Sequence, residues 1–82
     1  MKLTEKQIEE KVINVVSTQL GVGNSEIEPK SLFKDDLGAD SLDLTDLTIG
    51  FEDEFGLEIP DSDFGQLTTV ENVVGYIKKR LG

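Results

Sequence analysis

One serine stands at the centre of the segment whose residue types could do chemistry. Ser41 lies within DDLGADSLDLTDL, residues 35–47, directly after Asp40. Aspartate is a favoured N-cap residue, so the pattern places Ser41 at the first position of a helix. The N–H groups and partial positive charge of a helix start suit a phosphate esterified to the Ser41 hydroxyl. On periodicity alone, a plain polar residue at a helix start explains the pattern better.

The absence of histidine and cysteine from the sequence limits what Ser41 could do by itself. Without histidine there is no Ser-His-Asp triad and no usual base to activate a serine nucleophile. Without cysteine there is no disulfide and no thiolate metal site. Residues 35–46 have the length of a calcium loop, but Leu37 and Ala39 occupy positions that need oxygen ligands. The sequence therefore predicts neither a catalytic site nor a metal site.

The composition indicates a small, acidic domain. The 82 residues include 17 acidic and 8 basic side chains, which give a formal net charge of -9. We expect one domain, residues 1–82, with a small core and no deep catalytic cleft. Nucleic acids and anionic membranes are unsuitable partners, because phosphate contacts need clustered Lys and Arg. No apolar stretch approaches a membrane span and no signal-peptide pattern is present, so we expect a soluble, cytoplasmic protein. We also expect it to be a monomer.

The two ends of the chain have the apolar spacing of long helices. The first helix is predicted to begin at Thr4, with Gln7 completing a capping box, and to stop at Gly21. The last helix is predicted to begin at Thr68, with Glu71 completing the corresponding box. The positions expected to face the core are Ile8, Val12, Val15, Val16, Leu20, Val70, Val73, Val74, Ile77 and Leu81.

The middle of the chain contains the helix that would present Ser41. It is predicted to run from its cap Asp40 to Gly56, with Gly50 as a weak point that costs about 1 kcal/mol relative to alanine. Residues 21–40 have no periodic run and predict a long packed crossover, with a short helical turn after Pro29. Residues 61–67, DSDFGQL, predict a short helix. The expected fold is all-α, a four-helix bundle with three long helices, one short helix and a long first loop.

A long acidic stretch separates Lys34 from Lys78, with no other Lys or Arg between them. It holds twelve acids: Asp35, Asp36, Asp40, Asp43, Asp46, Glu52, Asp53, Glu54, Glu58, Asp61, Asp63 and Glu71. Several of these are expected to be ordinary solvated residues. Spacings of three and seven place Asp43, Asp46 and Asp53 near one another on the outer face of the middle helix. Such a face attracts and orients basic surfaces of partner proteins, with weak and salt-sensitive binding.

The segment GADSLD, residues 38–43, resembles the attachment motif of acyl carrier proteins from dissociated fatty acid synthases. The resemblance covers most of the chain in the order and spacing of that family. It continues through LGV at 20–22, FKDDLGADSLD at 33–43, EDEFGLEIPD at 52–61 and LTTVENVVGYI at 67–77. It implies that a separate phosphopantetheinyl transferase attaches 4′-phosphopantetheine to Ser41 from coenzyme A. The thiol of that arm would hold an acyl chain as a thioester, in a protein that catalyses nothing itself.

The resemblance also implies roles for the residues around Ser41. Asp40 and Leu42 flank the attachment point. Basic patches on fatty acid synthase enzymes and acyltransferases would dock on Asp40, Leu42, Asp43, Asp46, Ile49, Glu52 and Asp53. The acyl chain would enter a pocket between the middle helix and the short helix, lined by Leu44, Leu47, Ile59, Phe64 and Leu67.

The sequence departs from the family pattern without changing the attachment motif. The departures are Leu44, Thr45, Thr48, Gly50 and Phe51 on the middle helix and Phe64-Gly65 on the short one. They leave open the size of the pocket and the identity of the partner enzymes. A specialised carrier for polyketide, peptide or lipid A-type acyl transfer is therefore one alternative. An unmodified acidic interaction domain, which binds basic partners by charge alone, is the second.

Overall fold

The computed structural model describes residues 3–81, and its α-helices arise where the apolar spacing predicts them. These residues form α1 (Glu5–Leu20), α2 (Ser41–Phe55) and α3 (Val70–Leu81), with 3-10 helices at Asn24–Glu26 and Asp61–Gln66. The α1 helix packs against both α2 and α3. This confirms the predicted all-α bundle with three long helices, one short helix and a long first connection. The short helix, Asp61–Gln66, is of the 3-10 type.

Local capping determines where α1 begins and where α1 and α2 end. The Thr4 hydroxyl accepts the N–H of Gln7 at 3.1 Å, and the Gln7 side chain accepts the N–H of Thr4 at 2.8 Å. This is the predicted capping box. Gly21 and Gly56 follow α1 and α2 with φ values of 68° and 64°, a left-handed conformation that glycine adopts without strain. The predicted ends of both helices are therefore confirmed.

The α3 helix begins later than predicted, and the predicted capping box of Thr68 and Glu71 is wrong. The cap is Thr69, whose hydroxyl accepts the N–H of Asn72 at 3.2 Å. The Glu71 N–H instead donates to the carbonyl of Pro29 in the crossover, at 2.8 Å. Thr69 forms an isolated antiparallel β-bridge with Leu32 of the crossover, so α3 starts only at the following residue.

The crossover, residues 21–40, is fastened to the chain that precedes α3. The Phe33 N–H donates to the carbonyl of Thr68 at 3.2 Å, and the Ala39 N–H donates to the carbonyl of Phe33 at 2.7 Å. Ile27, Phe33 and Ala39 are buried in the core. These anchors explain how a long segment without regular structure can remain ordered in a small domain.

The crossover has one helical turn on each side of Pro29. The turn after Pro29 is the predicted one, since the Asp36 N–H donates to the carbonyl of Leu32 at 2.9 Å. The turn before it was not predicted and spans Asn24–Glu26. After Pro29, the Ser31 N–H donates to the carbonyl of Glu28, and the Ser31 hydroxyl accepts the N–H of Glu28, both at 3.0 Å. These two bonds close a tight turn that does not continue into a helix.

Most positions predicted to face the core do so. Ile8, Val12, Val16, Val70, Val73, Val74 and Ile77 are buried, and Val15 and Leu20 are half-buried. Leu81 is exposed, contrary to prediction. It lies in the last turn of α3.

Gly50 lies where α1 and α2 approach each other closely. A Cβ atom at this position would be 2.8 Å from Cγ1 of Val15 on α1. A separation this short is a steric clash between carbon atoms. Gly50 is therefore a packing requirement as well as the weak point in helix propensity that the sequence predicts.

We predict that Gly50→Ala lowers the free energy of unfolding by about 1–3 kcal/mol, because the clash with Val15 outweighs the better helix propensity of alanine. Urea denaturation measures the change. Gly75→Ala is the matched control, since its added methyl group on α3 meets no atom within 4 Å. That variant should gain up to about 1 kcal/mol. A Gly50→Ala protein as stable as Gly75→Ala would contradict the close approach of the two helices.

Candidate functional site

The Ser41 side chain is exposed at the first position of α2. The backbone before it is held in place, since Ala39 is buried in the core. Gly38 has a φ of 73°, so the chain turns sharply there in a conformation that favours glycine. The fold therefore presents the Ser41 hydroxyl to solvent from a fixed backbone.

A reciprocal pair of hydrogen bonds closes the start of α2. Asp40 Oδ1 accepts the N–H of Asp43 at 2.9 Å, and Asp43 Oδ2 accepts the N–H of Asp40 at 3.2 Å. The N–H groups of Ser41 and Leu42 have no acceptor within a helix that begins here. Together with the positive end of the helix dipole, they favour an anion on the Ser41 oxygen. A phosphodiester at Ser41 therefore fits the residues present.

Thr45 carries the next hydroxyl along α2 and is also exposed. Its Oγ1 donates to the carbonyl of Ser41 at 3.1 Å, so its proton is directed back to the helix. The position one turn into the helix also lies farther from the free N–H groups at its start. The geometry thus distinguishes two neighbouring hydroxyls, and only Ser41 has the environment of an anion site.

Four of the predicted docking residues form one stripe on α2. Leu42 and Ile49 are 76% and 49% exposed, the two highest values among the exposed large apolar side chains of the described residues. Asp46 and Asp53 are exposed as well. Spacings of four, three and four residues align these side chains along one side of the helix. This stripe, Leu42, Asp46, Ile49 and Asp53, alternates apolar and acidic groups.

The other predicted docking acids are engaged within the chain. Asp40 and Asp43 accept each other's N–H groups at the start of α2. Glu52 is half-buried, and its Oε2 accepts the N–H of Ile59 at 2.8 Å. The structure therefore separates these three acids, which hold the backbone, from the acids of the stripe.

A narrow apolar cavity of about 60 Å³, called the inner cavity below, lies between α2, the crossover and the short helix. A wider groove of about 380 Å³, called the outer groove below, adjoins it toward solvent. The two spaces share four lining residues: Phe33, Leu44, Phe64 and Leu67. Leu44 comes three residues after Ser41 and therefore lies on nearly the same side of α2. The cavity and the groove thus begin about one helical turn from Ser41.

The structure brings most of the predicted pocket residues together. Leu44, Leu47, Phe64 and Leu67 all line the inner cavity. Ile59 is buried but does not line it, because the bond to Glu52 places Ile59 beside the other end of α2.

Three residues that line the inner cavity were missing from the predicted set: Phe33, Thr48 and Phe51. Thr48 and Phe51 follow Leu44 at spacings of four and seven, a helical signal that could have identified them. Phe33 lies in the crossover, where no periodicity could point to it.

A polar network connects the short helix to α3. The Tyr76 hydroxyl donates to Asp63 Oδ2 at 2.5 Å, and Arg80 Nη1 donates to the Tyr76 oxygen at 2.8 Å. The Arg80 guanidinium carbon also lies 5.7 Å from the centre of the tyrosine ring. Burial of the ring and then the Asp63 carboxylate raise the pKa of Tyr76 above its ordinary 10.0, and Arg80 opposes this shift. Sequence analysis did not predict any contact among Asp63, Tyr76 and Arg80.

Within residues 3–81, no group of three acidic side chains comes close enough to hold a metal ion. No helix in this part of the chain is both long and apolar enough to cross a membrane.

Comparison with known proteins gives concordant matches over nearly the whole chain. The family model described as "Phosphopantetheine attachment site" matches residues 10–77. An acyl carrier protein of Chlorobium phaeobacteroides is 45% identical over 78 residues, 95% of this chain and 100% of that protein. One from Cyanidioschyzon merolae is 53% identical over 75 residues, 92% of this chain and 82% of that protein. One from Thermotoga maritima is 44% identical over 79 residues, 96% and 98% of the two chains.

We predict that Glu52→Ala lowers the free energy of unfolding by about 1–2 kcal/mol, because the half-buried N–H of Ile59 loses its acceptor. Asp53→Ala is the matched control, since it removes an adjacent but exposed carboxylate and should change stability by less than about 0.5 kcal/mol. Urea denaturation of both variants checks the difference. Equal stability of the two proteins would contradict the structural role given to Glu52.

Proposed function

The chain belongs to the acyl carrier protein family, and on that premise we propose that Ser41 carries its 4′-phosphopantetheine arm. The observation that supports this most directly is the exposed Ser41 hydroxyl beside the free N–H groups at the start of α2. The arm supplies a terminal thiol that holds the acyl group as a thioester, which the cysteine-free chain could not provide. The protein is a carrier on which other enzymes act, and we assign residues 1–82 to one carrier domain.

Attachment of the arm requires chemistry that this chain can support but not catalyse. The Ser41 oxygen forms a bond to phosphorus of the coenzyme A donor, the pyrophosphate P–O bond breaks, and an adenosine bisphosphate leaves. The hydroxyl proton passes to a base on the transferase, because this chain has no histidine to accept it. The Asp40–Asp43 bonds hold the serine backbone in place, and the neighbouring N–H groups stabilise the phosphodiester once it has formed.

We assign docking of partner enzymes to the stripe of Leu42, Asp46, Ile49 and Asp53. Its carboxylates attract and orient basic patches, and its exposed apolar side chains bury area when the surfaces meet. The partners are a phosphopantetheinyl transferase, acyltransferases and other enzymes of fatty acid synthesis. Because the carboxylates are exposed, salt screens them and binding remains weak. Weak binding suits a carrier that must leave one enzyme for the next.

We assign the acyl chain to the apolar region that begins at Leu44 and continues along Leu47, Phe64 and Leu67. Burial there would remove the chain from water and lower its free energy in proportion to the area covered. The intact GADSLD motif supports fatty acid synthesis as the pathway. Acceptance of the loaded protein by the acyltransferase and ketosynthase of that pathway tests this assignment.

We predict that incubation with coenzyme A and a promiscuous phosphopantetheinyl transferase adds one phosphopantetheine to the protein, and that Ser41→Ala abolishes the addition. Intact mass spectrometry measures both. Thr45→Ala is the matched control, because it removes the next exposed hydroxyl of α2 and should still be modified. Modification of Ser41→Ala, or none of the unaltered protein, would contradict the assignment of Ser41.

We predict that Asp46→Lys slows modification by the transferase at least about tenfold at low salt, because it reverses the central charge of the stripe. Glu10→Lys makes the same change in net charge at an exposed position on α1 and should leave the rate nearly unchanged. Initial rates measured at two salt concentrations check this, and the difference between the variants should shrink as salt rises. Equal slowing by both substitutions would show that net charge, not the stripe, guides docking.

A further inference from the structure

We propose that Asp63, Tyr76 and Arg80 form a latch that determines which acyl chains the carrier can shelter, with Tyr76 as the positioning residue. The latch acts on the short helix, Asp61–Gln66, whose Phe64 lines both the inner cavity and the outer groove. The inference deepens the proposed function and rests on it, because the acyl chain reaches this region only from an arm on Ser41.

The inner cavity is too small for most acyl chains. Its volume is about 60 Å³, whereas an apolar cavity of about 150 Å³ engineered in another protein holds a single benzene. An acyl chain of only two carbons needs little of this volume. A chain of eight carbons exceeds it, so a wall must move before such a chain passes from the outer groove into the inner cavity.

The walls of the cavity differ in how firmly they are held. Phe33, Leu47 and Phe51 are only 2%, 1% and 1% exposed, and the two on α2 belong to the face that is packed into the core. Phe64 is half-buried on a six-residue 3-10 helix whose N-cap, Pro60, makes no side-chain capping bond. The next residue, Gly65, has open space around it. Phe64 is therefore the lining side chain that can be displaced, and it moves outward together with the short helix.

The bond between Asp63 and Tyr76 opposes this outward movement. Asp63 directly precedes Phe64, so displacement of Phe64 draws the carboxylate away from the Tyr76 hydroxyl. Arg80 also holds the tyrosine, because its Nη1 donates to the same oxygen at 2.8 Å. Hydrogen bonds to a charged group are stronger than neutral ones, so opening the latch has a definite free-energy cost. Burial of a long acyl chain includes this free-energy cost, whereas burial of a short acyl chain does not.

The latch and a merely structural bond make different predictions for loaded protein. A structural bond stabilises every form equally, whatever the arm carries. A latch is closed with a short chain and open with a long one, so its contribution depends on the cargo. The coupling between Tyr76 and chain length is therefore the quantity to measure.

Tyr76 reports directly on the latch, because it is the sole tyrosine and the sequence has no tryptophan. A carboxylate that accepts the phenol proton quenches tyrosine emission, so fluorescence at neutral pH reads the bond. Asp63→Asn in the unacylated, arm-bearing form supplies the open reference. We expect the acetyl form to match the unacylated protein and the octanoyl form to approach the Asp63→Asn emission. An octanoyl form with unchanged emission would overturn the latch.

A thermodynamic cycle tests the same coupling without spectroscopy of the bond. The unfolding equilibria of the unacylated and octanoyl forms are compared for the natural protein and for Tyr76→Phe. We expect octanoylation to stabilise Tyr76→Phe by about five- to tenfold more in the folding equilibrium constant, because no latch has to open. Lys79→Gln, an exposed neighbour on α3, is the control and should leave the octanoyl increment unchanged.

Equal octanoyl increments in Tyr76→Phe and the natural protein would reduce Tyr76 to a structural role and overturn the inference. Failure of the proposed function has a different signature, since intact mass would then show no arm on Ser41 before any acyl chain is offered. A loaded protein with equal increments therefore rejects the latch and leaves the carrier function in place.

Discussion

The reciprocal hydrogen bonds between Asp40 and Asp43 fix the residue at which α2 begins, and the rest of the functional surface is set by that register. An α-helix advances about 100° per residue, so a shift of one position would rotate every later side chain to a different side. With the start fixed, Ser41 faces solvent beside free N–H groups. The stripe from Leu42 to Asp53 lies along one side of the helix, and Leu44 and Leu47 line the cavity. One local interaction thus aligns the proposed attachment point with the proposed docking stripe and with the cavity.

The remainder of the fold consists of a tightly packed part and a part that is held by fewer interactions. Tight packing of α1 against α2 and α3, with Gly50 allowing a close approach to Val15, holds the frame. The short helix has only a few residues, a 3-10 geometry and a polar link to α3 through Tyr76. Elements that admit ligands are commonly drawn from the less stable parts of a protein. A carrier that must keep its attachment point fixed while its cargo changes size needs both parts.

Sequence analysis succeeded where structure is decided by neighbours along the chain. The Thr4 and Asp40 caps and the glycine stops depend on residues within one turn, and each is readable from residue type and spacing. Errors arose where distant segments decide the outcome. The start of α3 differs from the predicted one because the carbonyl of Pro29 accepts the N–H of Glu71. Ile59 lies away from the cavity because its N–H donates to Glu52.

The polar network and the helix contact were missed for the same reason. Asp63 and Tyr76 belong to different elements, and neither residue type points to the other. The steric need for Gly50 depends on how near α1 approaches, which helix propensity does not contain. The resemblance to acyl carrier proteins predicted the attachment motif, but it could not show which acids form hydrogen bonds within the chain. Those bonds separate Asp46 and Asp53, which are exposed, from Glu52, which holds the backbone.

The central claim, that the arm is attached at Ser41, is tested most directly by locating it in protein from the native host. Proteolysis after Lys34 and Lys78 yields one peptide that contains every residue from 35 to 78. Fragmentation of that peptide in a tandem mass spectrometer assigns the added mass to a single side chain. We expect phosphopantetheine on Ser41 and on no other residue. The arm on Thr45 or elsewhere, or a peptide that never carries it, would contradict the account.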